Sequence, residues 1–314
     1  MFKISPYNSL RESNMLHLKI WLASFILALL VASSCAHREV QPPPPPPSPP
    51  PRPAKIALVL GAGAAKGFAH IGVLKVFEIH KIPIHMIVGT SAGSFVGSFY
   101  AYGFSAFQLQ TMALSVEKGD IADFIIPDNG FIQGIRLAEY VNKTLKNTPL
   151  EKLNIPFYAV ATDIQNGEEV VFGKGNTGAA VRASCSVPGV FRPVKIGDRI
   201  YVDGGVVSPV AVDAAKRQGA DVVIAVDISS DVESTKPETT IDTILQAINI
   251  MYSQLANLQC SRADVLVKPK VGHIASSDFS RRHEAILEGE KAAADAIPKI
   301  TEILERLRQE GRLK

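Results

Sequence analysis

Cysteine is scarce in this chain. Cys35, Cys185 and Cys260 are scattered over 314 residues, too few and too far apart for a disulfide framework. No Cys/His cluster has zinc spacing and no D-x-[DN]-x-[DN]-G loop occurs, so neither a metal nor another cofactor is expected. Charge of one sign is missing too. The net charge is only +3, and no basic run is interleaved with aromatics, which removes nucleic acid as a partner. No internal repeat is present. What remains is 46% hydrophobic and 20% charged, the balance of a globular domain with a substantial core.

The N-terminus is organised differently. Ile20 to Val31 is an apolar run of about a dozen residues, the length of a signal h-region and short of the roughly 20 that a membrane span needs. Lys19 gives it a positive flank. The run ends in V-A-S-S-C, and small residues directly before Cys35 resemble a bacterial lipoprotein lipobox, in which the cysteine is lipidated. Ala32 stands where a larger aliphatic is usual. The resemblance implies an exported lipoprotein anchored in a membrane, with Ala36 favouring the outer membrane, facing the periplasm or the cell surface. An uncleaved anchor or an ordinary signal cut nearby is the alternative. Pro42 to Pro53 then forms a polyproline II rod, about 40 Å long at roughly 3.1 Å per residue. The expected division is 1–35 signal segment, 36–53 linker and 54–314 catalytic domain.

The domain is organised around Lys55 to Gly97. Two units follow one another there, each an apolar strand, a glycine-rich turn and a helix. The first turn, Gly61 to Gly67, leaves backbone N–H groups free at a helix N-terminus, where negative charge is favoured. The second holds Ser91 in G-T-S-A-G, the spacing of a nucleophile elbow, with Gly89 and Gly93 making room for a sharp strand-to-helix turn. An anion cradle beside an exposed serine is minimal equipment for acyl transfer. The first turn lacks Walker spacing, because Phe68 follows Gly67, and no Y-x-x-x-K pair supports a nicotinamide site.

Further along, apolar spacing predicts helices over 105–116, 135–145, 177–184, 210–218, 241–259 and 281–308. Strands are expected at 157–164, 170–172, 194–196, 200–202, 222–227 and 265–268. Alternating strands and helices imply an α/β layered domain with a mostly parallel sheet. A base for Ser91 has two sources. Ser91, Asp203 and His273 stand in the order of an α/β-hydrolase triad, although only one strand precedes the elbow. Alternatively Asp203 acts alone. In V-D-G-G-V it also reads as a simple turn, and near its reference pKa of about 3.9 a carboxylate is a feeble base. Burial beside the serine would raise that value.

G-A-G-A-A-K-G-F-A-H-I-G-V-L, G-T-S-A-G and D-G-G, in that order, resemble the patatin-like phospholipase family. A-S-C-S-V-P-G-V-F-R-P at 183–193, A-T-D at 161–163 and D-F at 278–279 add to the likeness, which covers Lys55 to about Gly289. It implies a three-layer α/β/α sandwich with a mostly parallel sheet and a catalytic dyad of Ser91 and Asp203, the latter followed by Gly204 and Gly205. It assigns the glycine loop to an oxyanion hole, with the N–H groups of Gly63 and Ala64 as donors and alanines at 62 and 64 where glycine is usual. Lys66 in a helix's first turn suggests a nearby anion, the oxyanion or a lipid phosphate; a solvated surface lysine is the alternative. The implied activity is hydrolysis of a phospholipid or other acyl lipid. A lipid-binding or regulatory protein with a vestigial site is the non-enzymatic reading. Cys185 and Cys260 are expected as buried small hydrophobes.

Overall fold

The computed structural model describes residues 7–33, 51–117, 119, 123, 132–229 and 240–313. The chain divides into two compact units, Met1–Pro49 and Pro50–Lys314. The described part of the first is a helix, α1 (Tyr7–Ser33), which contains the apolar run. Among the described residues no helix is long and apolar enough to cross a membrane. Cys35 and residues 36–50 of the linker lie outside the described residues.

In the second unit the first strands read as unbroken apolar runs because both their faces are covered. β1 (Ile56–Leu60) and β2 (Met86–Thr90) are buried throughout. With β3 (Phe157–Asp163), β4 (Glu169–Phe172), β5 (Val194–Ile196), β6 (Arg199–Asp203), β7 (Val222–Val226) and β8 (Val265–Val267) they form one sheet of order β5-β6-β3-β2-β1-β7-β8, with β4 also on β3. The β3-β2-β1-β7-β8 stretch is parallel. The hairpin β5–β6 and strand β4 join antiparallel.

Successive side chains of a strand point to opposite faces, and the core divides accordingly. Ile56, Leu58 and Leu60 pack with residues of α2 (Phe68–Ile79), α3 (Ala92–Tyr102), α4 (Ala106–Ser115), α5 (Ile135–Thr144) and the long C-terminal helix. Ala57 and Val59 face the other way, toward α7 (Val212–Arg217) and α8 (Thr240–Cys260). A further helix, α6 (Thr177–Ser184), precedes the β5–β6 hairpin, and α9 (Arg282–Gln309) closes the chain. The result is a three-layer α/β/α sandwich, as the family resemblance implied. The predicted elements fall within two residues of the observed ones. The largest difference is at α7, which starts at Val212 and not Val210. Pro209 and Val210 are occupied by tertiary bonds instead, accepting from Ala62 N at 2.8 Å and donating to Gln259 Oε1 at 3.1 Å.

Candidate active site

β2 ends at Thr90 and α3 begins at Ala92, so Ser91 alone makes the turn. Its φ of 53° and ψ of −121° lie where a non-glycine residue is strained, at about 1–3 kcal/mol. The surroundings hold it there. Ser91 N donates to Ser184 Oγ at 2.9 Å, and Ser184 Oγ donates to Val160 O at 2.6 Å. Ser91 O accepts from Ser94 N at 2.8 Å and from Ser94 Oγ at 2.7 Å. A Cβ on Gly93 would lie 2.0 Å from Leu60 O, and one on Gly89 2.5 Å from Ser94 Cα. The turn can close this tightly only over glycine.

Asp203 ends β6 and is fully buried. Its backbone N donates to Ser186 O at 2.8 Å, its backbone O accepts from Thr162 Oγ1 at 2.9 Å, and its Oδ1 accepts from Gly205 N at 2.7 Å. Burial pushes the carboxyl up to about 7, against smaller opposing effects of the Ser91 hydroxyl, the Gly205 amide and the Tyr252 hydroxyl. Both hydroxyls lie near enough to influence the carboxyl, yet neither forms a hydrogen bond with either of its oxygens, and Oδ2 has no hydrogen bond among the described residues. Such looseness is common in sites without substrate. A value near 7 turns a feeble base into one matched to neutral pH.

The glycine loop joins β1 to α2 through a single 3-10 turn, Ala64–Gly67. Gly61 N donates to Val226 O, Ala62 N to Pro209 O, Ala65 N to Ser276 O and Lys66 N to Gly63 O. The amides of Gly63 and Ala64 donate to none of the described residues. Ala64 has φ 50°, so its Cβ sits in the left-handed region. A Cβ on Gly67 would lie 2.7 Å from that of Ala92, which brings the loop against the first turn of the elbow helix. Lys66 is 1% exposed, so it is not a solvated surface lysine.

The histidines stand elsewhere. His273 is half exposed and its Nε2 lies 2.7 Å from Glu284 Oε1. Among the described residues no imidazole acts on Asp203, so the order Ser91, Asp203, His273 does not become a triad in space. His70 is fully buried; its Nε2 donates to Gly61 O at 2.9 Å, which ties it to the glycine loop. Burial drives its pKa down to about 4. It is neutral at physiological pH. Cys185 and Cys260 are free and buried, as expected. Among the described residues no group of three or more His, Cys, Asp and Glu is placed to hold a metal ion.

Three positions carry more of this geometry than the sequence reading gave them. Ser184 and Ser186 of the A-S-C-S block fasten the backbones of Ser91 and Asp203 respectively. Tyr252 of α8 lies against the D-G-G turn beside Asp203, where the sequence pattern marks only a helix. Its position four residues before Ala256 and seven before Gln259 places all three on one helix face, the signal from which it is legible.

Fold and site together define a class: an α/β protein with a serine at a strained strand-to-helix turn at the carboxyl ends of its parallel strands, beside loop amides that donate to none of the described residues and a buried acid. The family model described as Patatin-like phospholipase matches residues 58–216, which is half of the chain and includes Ser91 and Asp203. The chain belongs to that family. It is 33% identical over 178 residues to an uncharacterized NTE family protein of Mycobacterium bovis, covering 56% of this chain and 49% of that one. It is 34% identical over 188 residues to human patatin-like phospholipase domain-containing protein 6, covering 57% and 14%. With lysophospholipase NTE1 of Debaryomyces hansenii the identity is 31% over 195 residues, covering 60% and 13%. The matched segment thus spans about half of the mycobacterial relative and a small part of the other two.

Proposed function

We propose that this protein is a serine lipid acyl hydrolase of the phospholipase A, lysophospholipase or esterase type. In this reading Asp203 takes the proton of Ser91 as Ser91 Oγ attacks the ester carbonyl. The Gly63 and Ala64 amides receive the oxyanion, at roughly 3 kcal/mol each if they behave like other such donors. The leaving alcohol takes its proton from Asp203. Water then attacks the acyl-enzyme and gives a proton to the same carboxylate; the bond to Ser91 Oγ breaks, Asp203 returns that proton to Ser91 Oγ, and the carboxylic acid product departs. Two helix N-termini, those following Gly63 and Ser91, favour the negative charge that develops between them.

The observation that carries the reading is the fully buried Asp203 carboxyl, fixed through Oδ1 by the Gly205 amide, in a chain that holds Ser91 at a strained strand-to-helix turn; burial raises that carboxyl to about 7. An acid so poised is wasteful in a purely binding protein. An acyl lipid as substrate class is supported by family membership and by the names of the relatives, among them a lysophospholipase. A generic p-nitrophenyl ester provides the test. The parent should release the phenol in turnover, and Ser91→Ala should lose at least about 10⁴-fold in kcat/KM. Equal slow hydrolysis by both would favour a lipid-binding protein with a vestigial site. Membrane tethering through a lipidated Cys35 is proposed on the apolar run and its V-A-S-S-C end. Palmitate incorporation that disappears in Cys35→Ser would support it, and equal labelling of both proteins would remove it.

A further inference from the structure

We propose that Tyr252 is a positioning residue for Asp203: its hydroxyl donates to the carboxylate oxygen Oδ2 and holds the acid in place against Ser91. This rests on the dyad reading above and adds a third member to it.

The placement is built into α8. Near its C-terminal end Gln259 bridges to the segment after the D-G-G turn, accepting from Val210 N at 3.1 Å and donating to Val207 O at 3.0 Å. Ala256, fully buried, continues the same face. Two turns before Gln259 that face carries Tyr252. A Cβ on Gly205 would lie 2.3 Å from Tyr252 Cε2 and 2.9 Å from its hydroxyl oxygen. Phenol and D-G-G turn are therefore in van der Waals contact, and only glycine at 205 permits it. The Gly205 amide in turn holds Asp203 Oδ1.

Two buried polar atoms here have no hydrogen bond among the described residues: Asp203 Oδ2 and the Tyr252 hydroxyl. Buried polar groups are rarely left single, and these two are complementary, an acceptor and a donor. Each also shifts the other. Burial, reinforced by the carboxylate, raises the phenol well above its ordinary value, while the phenol lowers the carboxyl. The other groups facing Asp203 are the Ser91 hydroxyl from the elbow, the Gly205 amide, and the Cys185 thiol after α6. Burial pushes that thiol up, so it is neutral. No charged side chain competes among these groups. Oδ2 has lone pairs for both hydroxyls, so Tyr252 can steady it without displacing Ser91.

The sign follows directly. A donor to the carboxylate favours its ionised form, the form that accepts the serine proton. Removing the donor raises the pH at which the base becomes available. Tyr252→Phe keeps the ring on Gly205 and removes only the hydroxyl. With p-nitrophenyl butyrate and the full chain, kcat/KM is measured from pH 5.5 to 9.5. The parent's acidic limb is expected near pH 7. In Tyr252→Phe it should move upward by about one pH unit, giving a roughly tenfold loss at pH 6 and recovery above pH 9. Tyr252→Leu, which also lacks the hydroxyl, should shift the limb at least as far. An unmoved limb, or the same fractional loss at every pH, would overturn the proposal, since mere packing lowers rate without moving the profile. Asp203→Asn in the same series separates the two levels. If it keeps the parental profile, the dyad itself has failed. If it abolishes turnover while both Tyr252 variants keep the parental limb, only the role of Tyr252 has failed.

Discussion

The two strand–turn–helix units at the centre of the sheet meet the same backbone demand with different residues. Each places one non-glycine residue in the left-handed region, Ala64 at φ 50° after β1 and Ser91 at φ 53° after β2. At the elbow the proposed function gives the strain a purpose on the side chain: the hydroxyl of Ser91 would react, so glycine could not replace it, while glycine is required at 89 and 93. At the loop the same proposal uses only the amide, and Ala64 is exposed. On this proposal a strained residue is indispensable where its side chain reacts and replaceable where its backbone binds.

That contrast is open to direct attack, beginning where the effect is largest. Gly93→Ala would force a methyl to within 2.0 Å of Leu60 O. Backbone must move, and we expect at least about 3 kcal/mol of lost stability in urea denaturation. A loss below about 1 kcal/mol would mean the elbow is far softer than described.

Next comes the buried acid. Asp203 has a folded pKa of about 7 against 3.8 for the free group. The folded state therefore holds its proton more tightly, and the associated stability, present below about pH 3.8, is lost as pH rises through 7. Asp203→Asn should be more stable than the parent at pH 8 by a few kcal/mol, order of magnitude, and nearly equal at pH 4. His70 acts oppositely. Its folded value of about 4 lies below the ordinary 6.5, so its contribution is lost as pH falls from about 6.5 through 4. Between those limits the two slopes offset one another in the parent, and Asp203→Asn should expose the His70 slope. Denaturation curves at pH 4, 6 and 8 measure this; a variant no more stable than the parent at pH 8 would contradict the burial of charge.

The smallest effect belongs to the loop. Ala64→Gly relieves a left-handed alanine but loosens the unfolded chain, for a net gain of about 1 kcal/mol. The free amide remains, so ester hydrolysis should stay within about twofold. A destabilised variant would show that the Ala64 methyl packs usefully after all.

Much of the fold was legible because burial on both faces leaves unbroken apolar runs such as I-A-L-V-L and M-I-V, and because glycines mark each sharp turn. Ser91 was legible for the same reason: an elbow needs Gly89 and Gly93 at fixed distances. Asp203 was not legible from its neighbours, since V-D-G-G-V describes any tight turn; the family likeness singled it out, and burial explains why its carboxyl differs from a surface aspartate. His273 misled by order alone, because a pairing with Glu284 eleven residues on cannot be read from spacing. Tyr252, Ser184 and Ser186 were missed as contacts between segments far apart in sequence, where only the assembled sheet brings them to the site.

The proposed transfer of a proton from Ser91 to Asp203 is tested most directly by covalent trapping. A fluorophosphonate esterifies a serine in proportion to its activation, and peptide mapping locates the adduct. The account predicts one labelled serine, Ser91, at a rate that climbs as pH rises through about 7 and collapses in Asp203→Asn. Labelling of another serine, or an Asp203→Asn protein that reacts as fast as its parent, would contradict it.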